Sequence, residues 1–162
     1  MSDYRRVRIE GGTYFYTVTL ANRKSRLLME ENKLLLASIR KVQKKRPFAM
    51  RGWVVLPDHL HCIWTLPKGD HDYSGRWRAI KTLFSKNCKK NSRTQIKSVW
   101  QPRFWEHTIH SAEDFKRHLD YIHINPVKHN YVKQVKDWPL SSFHTYVNNG
   151  VYTLDWGGVP ID

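Results

Sequence analysis

Two stretches hold residue types that do chemistry at useful spacings. The first is His59-Leu60-His61, inside the run Trp53-Val54-Val55-Leu56-Pro57-Asp58-His59-Leu60-His61-Cys62-Ile63-Trp64. In a strand, alternate side chains share a face, so His59 and His61 stand roughly 7 Å apart along one face. Leu60 and Cys62 then point the other way, into a core. Two neutral imidazoles on a rigid strand can hold one divalent ion. The competing reading is two polar residues on the wet face of an amphipathic strand. The second stretch is Leu119-Asp120-Tyr121-Ile122-His123-Ile124-Asn125-Pro126-Val127-Lys128-His129. On a helix, Tyr121 and Asn125 are neighbours one turn apart. Facing the histidines, they supply a covalent nucleophile and a third metal ligand. A metal there would polarise a phosphoryl oxygen and neutralise charge developing on a scissile phosphate. The competing reading is a half-buried helical tyrosine and an ordinary helix end at Asn125-Pro126, where the pre-proline restriction disfavours helical geometry.

Regular elements must position these groups. Gly11-Gly12 reads as a turn, and Thr13 to Leu20 as a strand rich in β-branched and aromatic residues. Phe15 lies on one face of it; Tyr14, Tyr16 and Val18 lie on the other. Glu30 to Arg46 has Leu35, Ile39 and Val42 at helical spacing and is stopped by Pro47. Phe48 to Leu56 and His59 to Leu66 read as strands joined through Pro57-Asp58. Tyr73 to Lys90 reads as a helix with Trp77, Ile80 and Phe84 on one face. Asn91 to Ser98 is polar and is expected to be a mobile connector. Val99 to Ile109 reads as extended. Ser111 caps a third helix, with Asp114 three residues on, and Pro126 marks its expected end. A short helix is expected over Trp138 to Phe143. The order β-α-β-β-α-β-α predicts an α+β domain with a ferredoxin-like antiparallel sheet. The helices are expected mainly on one face, leaving the other to a ligand. Residues 1–147 form the expected catalytic domain, and 148–162 a C-terminal tail rich in glycine and loose.

The 162 residues suit one domain with a proper core. The formal net charge of +14 points to a polyanionic partner, nucleic acid first. Arg5, Arg6, Arg8, Arg76, Arg78, Lys81, Lys86 and Lys89 are the candidate phosphate contacts, with Lys90 and Arg93 beside them. No segment reaches the roughly 18 apolar residues of a membrane span. No signal peptide is recognised, which predicts a cytoplasmic protein. Two cysteines, Cys62 and Cys88, are too few for a disulfide framework and read as packing residues. His107, His110, His118, His123 and His129 read as surface or hydrogen-bonded histidines.

Four blocks together resemble the REP-associated tyrosine transposases of the HUH single-strand transposase superfamily. They are Gly11-Gly12-Thr13, Leu56 to Trp64, Trp100-Gln101-Pro102-Arg103-Phe104-Trp105-Glu106-His107, and Asp120 to His129, in that order. The resemblance implies a ferredoxin-like fold with the histidines on a central strand. It implies Mg²⁺ or Mn²⁺ held by His59, His61 and Asn125. It implies Tyr121 as a nucleophile that becomes linked to the 5′-phosphate of single-stranded DNA and releases a 3′-hydroxyl. The implied substrates are REP hairpins, and the implied setting is the bacterial nucleoid. The implied state is a monomer with the tyrosine in cis or a homodimer with it in trans. Asn130 stands where many relatives have glycine, and is expected to keep the left-handed turn.

Two rival functions compete with this one. A non-catalytic nucleic-acid binder of the same topology would need aromatic residues where one central strand carries histidines. A zinc hydrolase would need a third strong ligand where the chain offers an amide.

Overall fold

The computed structural model describes residues 6–91 and 98–157, and for residues 89–91 the backbone alone. Strands β1 (Thr13–Thr19), β2 (Ala49–Val55), β3 (His59–Thr65) and β4 (Trp105–Thr108) form one sheet in the order β2-β3-β1-β4. Every pairing is antiparallel. Helices α1 (Leu27–Glu30) and α2 (Asn32–Lys45) connect β1 to β2, and α3 (Tyr73–Asn91) connects β3 to β4. This is the ferredoxin-like arrangement of two interleaved β-α-β units. Helix α4 (Ala112–Lys128), a 3₁₀ turn (Val135–Asp137) and α5 (Phe143–Asn148) follow.

Alternation along the strands divides the core in two. Tyr14, Tyr16, Val18, Leu60, Cys62 and Trp64 face α2 and α3, and pack with Leu35, Ile39, Trp77, Ile80 and Phe84. Phe15, Val54 and Ile63 face the opposite side and pack with Leu119 and Ile122 of α4. Two of the three long helices therefore share one face, but the other face is not left open. Its apolar residues need a cover, and the apolar stripe of α4 supplies it. Cys62 and Cys88 are both free and buried.

The ends of several elements differ from the expectation. The first long helix is broken at Glu31, giving α1 and α2. Pro126 does not end α4; it sits inside the helix, in its last turn. There the missing N–H removes a single bond, and the chain is closed by two others. Tyr131 N–H donates to the Pro126 carbonyl at 2.9 Å, and Asn130 N–H to that of Val127 at 3.0 Å. With Asn130 at φ 62°, this is a Schellman cap carried by asparagine. The short helix falls later than expected, at α5, because the Trp138–Ser142 segment is drawn onto the β2 edge. Ser142 N–H donates to the Trp53 carbonyl at 2.9 Å, and Trp138 Nε1–H to that of Val55 at 3.0 Å. Residues 148–157 are not loose: Tyr152 is buried in the second core, and its hydroxyl donates to Asp120 Oδ1 at 2.6 Å. Residues 92–97, most of the polar connector, lie outside the described residues.

Candidate active site

His59 and His61 sit on β3, paired with Thr19 and Thr17 of β1. Their rings point to the α4 face, with centroids 4.9 Å apart and nearly perpendicular. Both are buried. Each is held through Nδ1. The His59 Nδ1 lies 2.8 Å from Asp58 Oδ1, whose other oxygen accepts from Arg23 Nε at 2.6 Å. The His61 Nδ1 lies 2.8 Å from Thr17 Oγ1. Such contacts fix ring orientation and leave Nε2 for a ligand. The His61 Nε2 is buried with no hydrogen-bond partner.

The electrostatics keep both imidazoles neutral. Burial pushes the His61 pKa down to about 3, helped by the neighbouring His59 and His129. Burial also lowers His59, against the pull of Asp58. At Asp58 burial raises the carboxyl, but hydrogen bonds from Arg23 and His59 outweigh it and hold it below its ordinary value.

Helix α4 brings Tyr121 to this pair. Its ring meets His61 edge-on at 5.4 Å and Phe15 at 6.0 Å. Tyr121 is half-buried, while His123 is fully buried and turned away, with Nε2 2.8 Å from Ser142 Oγ. The Lys128 ammonium lies 5.0 Å from the Tyr121 ring centroid. Asn125 is fully buried, and neither its amide oxygen nor its nitrogen has a hydrogen-bond partner. An unpaired buried amide is costly, and a metal ligand's role is one that accounts for it. One unpartnered imidazole nitrogen and one unpartnered amide oxygen, with uncharged imidazoles, are the donor chemistry a divalent ion requires. The site residues fit such an ion.

The basic candidates divide. Arg6, Arg8, Arg78 and Lys81 line one open groove of about 1040 Å³ with Arg103, Phe104 and Trp105. Arg6 stacks on Phe104 at 3.9 Å. Trp105 is 54% exposed on the edge strand. Lys86 is exposed and lines a second groove along α3 with Trp100 and Gln101. Arg76 does not belong to this set. It is 2% exposed, and all five of its N–H donors are used, on Asp70, Asp72, Arg46 and Pro47. Its position on the inner side of α3 makes it a tie between loops. Arg5, the Lys89 and Lys90 side chains, and Arg93 lie outside the described residues.

Three contributors were not singled out by sequence. Asp58 stands in the turn before β3, and its position beside His59 is the sequence signal for it. Thr17 becomes visible only once the β1–β3 register is known. Arg103 stood in a matched block without an assigned role.

The model of the family described as "Transposase IS200 like" matches residues 11–125. The chain belongs to this family. A REP-associated tyrosine transposase of Escherichia coli (strain K12) is 54% identical over 162 residues, spanning all of this chain and 94% of the relative. A Haemophilus influenzae protein is 40% identical over 168 residues, spanning 99% of this chain and 96% of its own. The structure of a REP-associated tyrosine transposase bound to a REP hairpin superposes with a TM-score of 0.91 at 54% identity, covering 100% of this chain and 94% of that one. The protein is therefore a tyrosine transposase-type enzyme of the IS200-like family, with that family's α+β fold. Among the described residues, no helix is long and apolar enough to cross a membrane. A second cluster of metal-binding residue types, His107, His110 and Asp114, lies elsewhere on the α4 face.

Proposed function

We propose that the protein is a divalent-metal-dependent endonuclease and strand transferase of single-stranded DNA, acting on hairpins of the REP type through a 5′-phosphotyrosine at Tyr121. The observation that carries this reading is the contact of Tyr121 with His61, one helical turn from Asn125 on α4. A half-buried phenol lies against an imidazole with an unpartnered nitrogen, one turn from an unpartnered amide. His59, His61 and Asn125 would hold the ion. When bound, it supplies Lewis-acid polarisation of a phosphoryl oxygen. Two imidazoles favour Mn²⁺ over Mg²⁺ by ligand type.

The chain's own groups do the rest. Tyr121 Oη attacks the phosphorus, and its proton leaves to solvent. The P–O3′ bond breaks, and the departing 3′-oxygen takes up a proton. The product is a phosphodiester between tyrosine and the 5′ side, so attack by a 3′-hydroxyl restores DNA without an external energy source. Lys128 sets a positive charge beside the ring, where it faces the incoming phosphate. Phe15 and the buried strand face hold water away from the imidazoles. Arg6, Arg8, Arg78, Lys81 and Arg103 give the backbone a basic track, and the exposed Trp105 offers a stacking surface for an unpaired base. The nucleophile and the His pair lie in one chain, which favours a monomer acting in cis. The relative whose structure holds a REP hairpin supports that substrate class. Such a substrate supports a bacterial cytoplasmic setting, at the nucleoid.

The test is a set of hairpin oligonucleotides labelled at either end and incubated with and without Mn²⁺. The expected product is a metal-dependent adduct that retains the 3′ label and disappears in Tyr121→Phe and His61→Ala. Unimpaired cleavage by Tyr121→Phe would transfer the role to a metal-activated water. Tight binding without cleavage of any hairpin would favour the non-catalytic binder.

A further inference from the structure

On the α4 face, beyond the Phe15 ring from His61, lie four groups that the transposase chemistry leaves unused. Phe15 stacks on His61 at 5.5 Å and meets His118 at 4.9 Å, so its ring separates the two loci. His107 comes from β4, opposite Phe15. His110 comes from the loop that follows, and Asp114 and His118 from the first turns of α4. Asp114 is nearly buried, His107 and His118 are partly covered, and the His110 side chain is 69% exposed. His107 Nε2 lies 2.9 Å and His110 Nε2 3.6 Å from Asp114 Oδ2. All three ligand atoms fall within 4.8 Å of one another. Atoms bound tetrahedrally to zinc at about 2.0–2.1 Å sit roughly 3.3 Å apart. The observed spacing brackets that value. The His118 Nδ1 hydrogen-bonds the Asp114 backbone carbonyl at 2.9 Å and lies 3.1 Å from Oδ1, and its ring stacks on His107 at 4.4 Å. The His110 backbone N–H donates to Asp114 Oδ2 at 3.1 Å, a supporting contact of the kind that orients a ligating carboxylate.

We infer that His107, His110 and Asp114 form a second metal site, distinct from the His59–His61 pair, selective for a zinc-type transition ion and open to water on the His110 side. Two imidazoles and one carboxylate, with a free fourth position, suit Zn²⁺ or Co²⁺ better than Mg²⁺, which prefers oxygen ligands. Binding requires the tautomer with the proton on Nδ1 in His107 and His110, which frees both Nε2 lone pairs. In the metal-free state His107 donates to the carboxylate instead. Occupancy ties the edge strand β4 to the start of α4. Tyr121 lies seven residues, about two turns, beyond Asp114 on that helix. The ion is a clamp on the tyrosine helix, separate from the chemistry.

The experiment titrates Co²⁺ into a His59→Ala/His61→Ala variant and follows the visible d–d bands, with thermal melts in Zn²⁺ alongside. One equivalent is expected to bind with micromolar or better affinity, and the melting temperature is expected to rise by several degrees. Both effects should vanish when His110→Ala is added, a change at an exposed side chain that leaves the fold intact. Should the double variant not fold, the wild type is compared with His110→Ala. Two bound equivalents are expected in the first and one in the second. Absence of saturable Co²⁺ binding in the double variant, or binding that survives both His110→Ala and His107→Ala, would overturn the inference. His110→Ala retains the first equivalent, so failure here is distinguishable from failure at the His59–His61 site.

Discussion

At the residue scale, the candidate site depends on the side chains that hold its histidines. His61 offers Nε2 only because Thr17 Oγ1 holds Nδ1 at 2.8 Å. Thr17→Val keeps the β-branched shape and removes that hydrogen bond. The expected result is a loss of about 10- to 100-fold in metal affinity, the usual cost of losing such a supporting contact. The fold should survive, since valine suits a strand. The check is a Mn²⁺ dependence of cleavage set beside a thermal melt. A lower melting point with unchanged Mn²⁺ dependence would mean that Thr17 serves packing alone. The histidine pair itself was legible in sequence, because a period of two needs no tertiary information. Thr17 was not, because its role comes from strand register across 44 residues. Asn125 was legible as a helical neighbour of Tyr121, but the pre-proline rule argued against that geometry. The Schellman cap at Asn130 answers it: the helix closes beyond Pro126, so Asn125 keeps its turn.

At the scale of elements, α4 must sit close enough to the sheet to bring Tyr121 to His61. Gly52 allows it. Strand β2 shifts register between Met50 and Gly52, and a Cβ at Gly52 would stand 2.6 Å from Leu119 Cδ1. Gly52→Ala is expected to destabilise by about 1–3 kcal/mol through overpacking. It should also lower adduct formation more than hairpin affinity, because the displaced helix carries Tyr121, the proposed nucleophile. Denaturant unfolding and single-turnover cleavage separate the two effects. The loops under α3 give a second prediction. The Arg76 fork beside Asp70 holds the carboxyl at about 2, below its ordinary value. This stability is present above the unfolded pKa near 4 and is lost as pH falls through about 2. Asp70→Asn leaves Arg76 buried without its charge partner, at a cost of about 2 kcal/mol near neutrality, discounted for the partial exposure of Asp70. The gap from wild type should narrow between pH 4 and pH 2 in urea melts. A constant gap would show that the pair is not the source. Arg76 looked like a phosphate contact because a basic helix reveals its charges but not which of them turn inward. The open second face was misjudged for a related reason. Phe15 and Ile63 announced an apolar surface, but only the packed structure shows that Leu119 and Ile122 cover it.

At the scale of the whole molecule, a net charge of +14 attracts any polyanion, and attraction alone does not make a binding track. The described structure separates charges that line a groove from charges that merely add to the total. Arg8 and Arg78 line the groove beside Phe104 and Trp105, whereas Arg40 is exposed on α2, beside a small apolar pocket and outside that groove. Phosphate contacts release counterions, and each contributes about 0.7 to the slope of log K against log salt for single strands, or about 0.9 for duplex. Arg8→Ala and Arg78→Ala are each expected to reduce that slope by roughly one such step on a hairpin oligonucleotide. Arg40→Ala removes the same charge and should leave the slope unchanged. Fluorescence anisotropy across a salt series reads all three. Equal reductions in the three variants would assign affinity to the overall charge, and the groove would lose its role. A reduction confined to Arg8 and Arg78 would place the phosphates along α3 and the β4 edge. The substrate would then run from that groove around the edge strand to Tyr121 on the opposite face of the sheet, which requires an unpaired strand flexible enough to turn there.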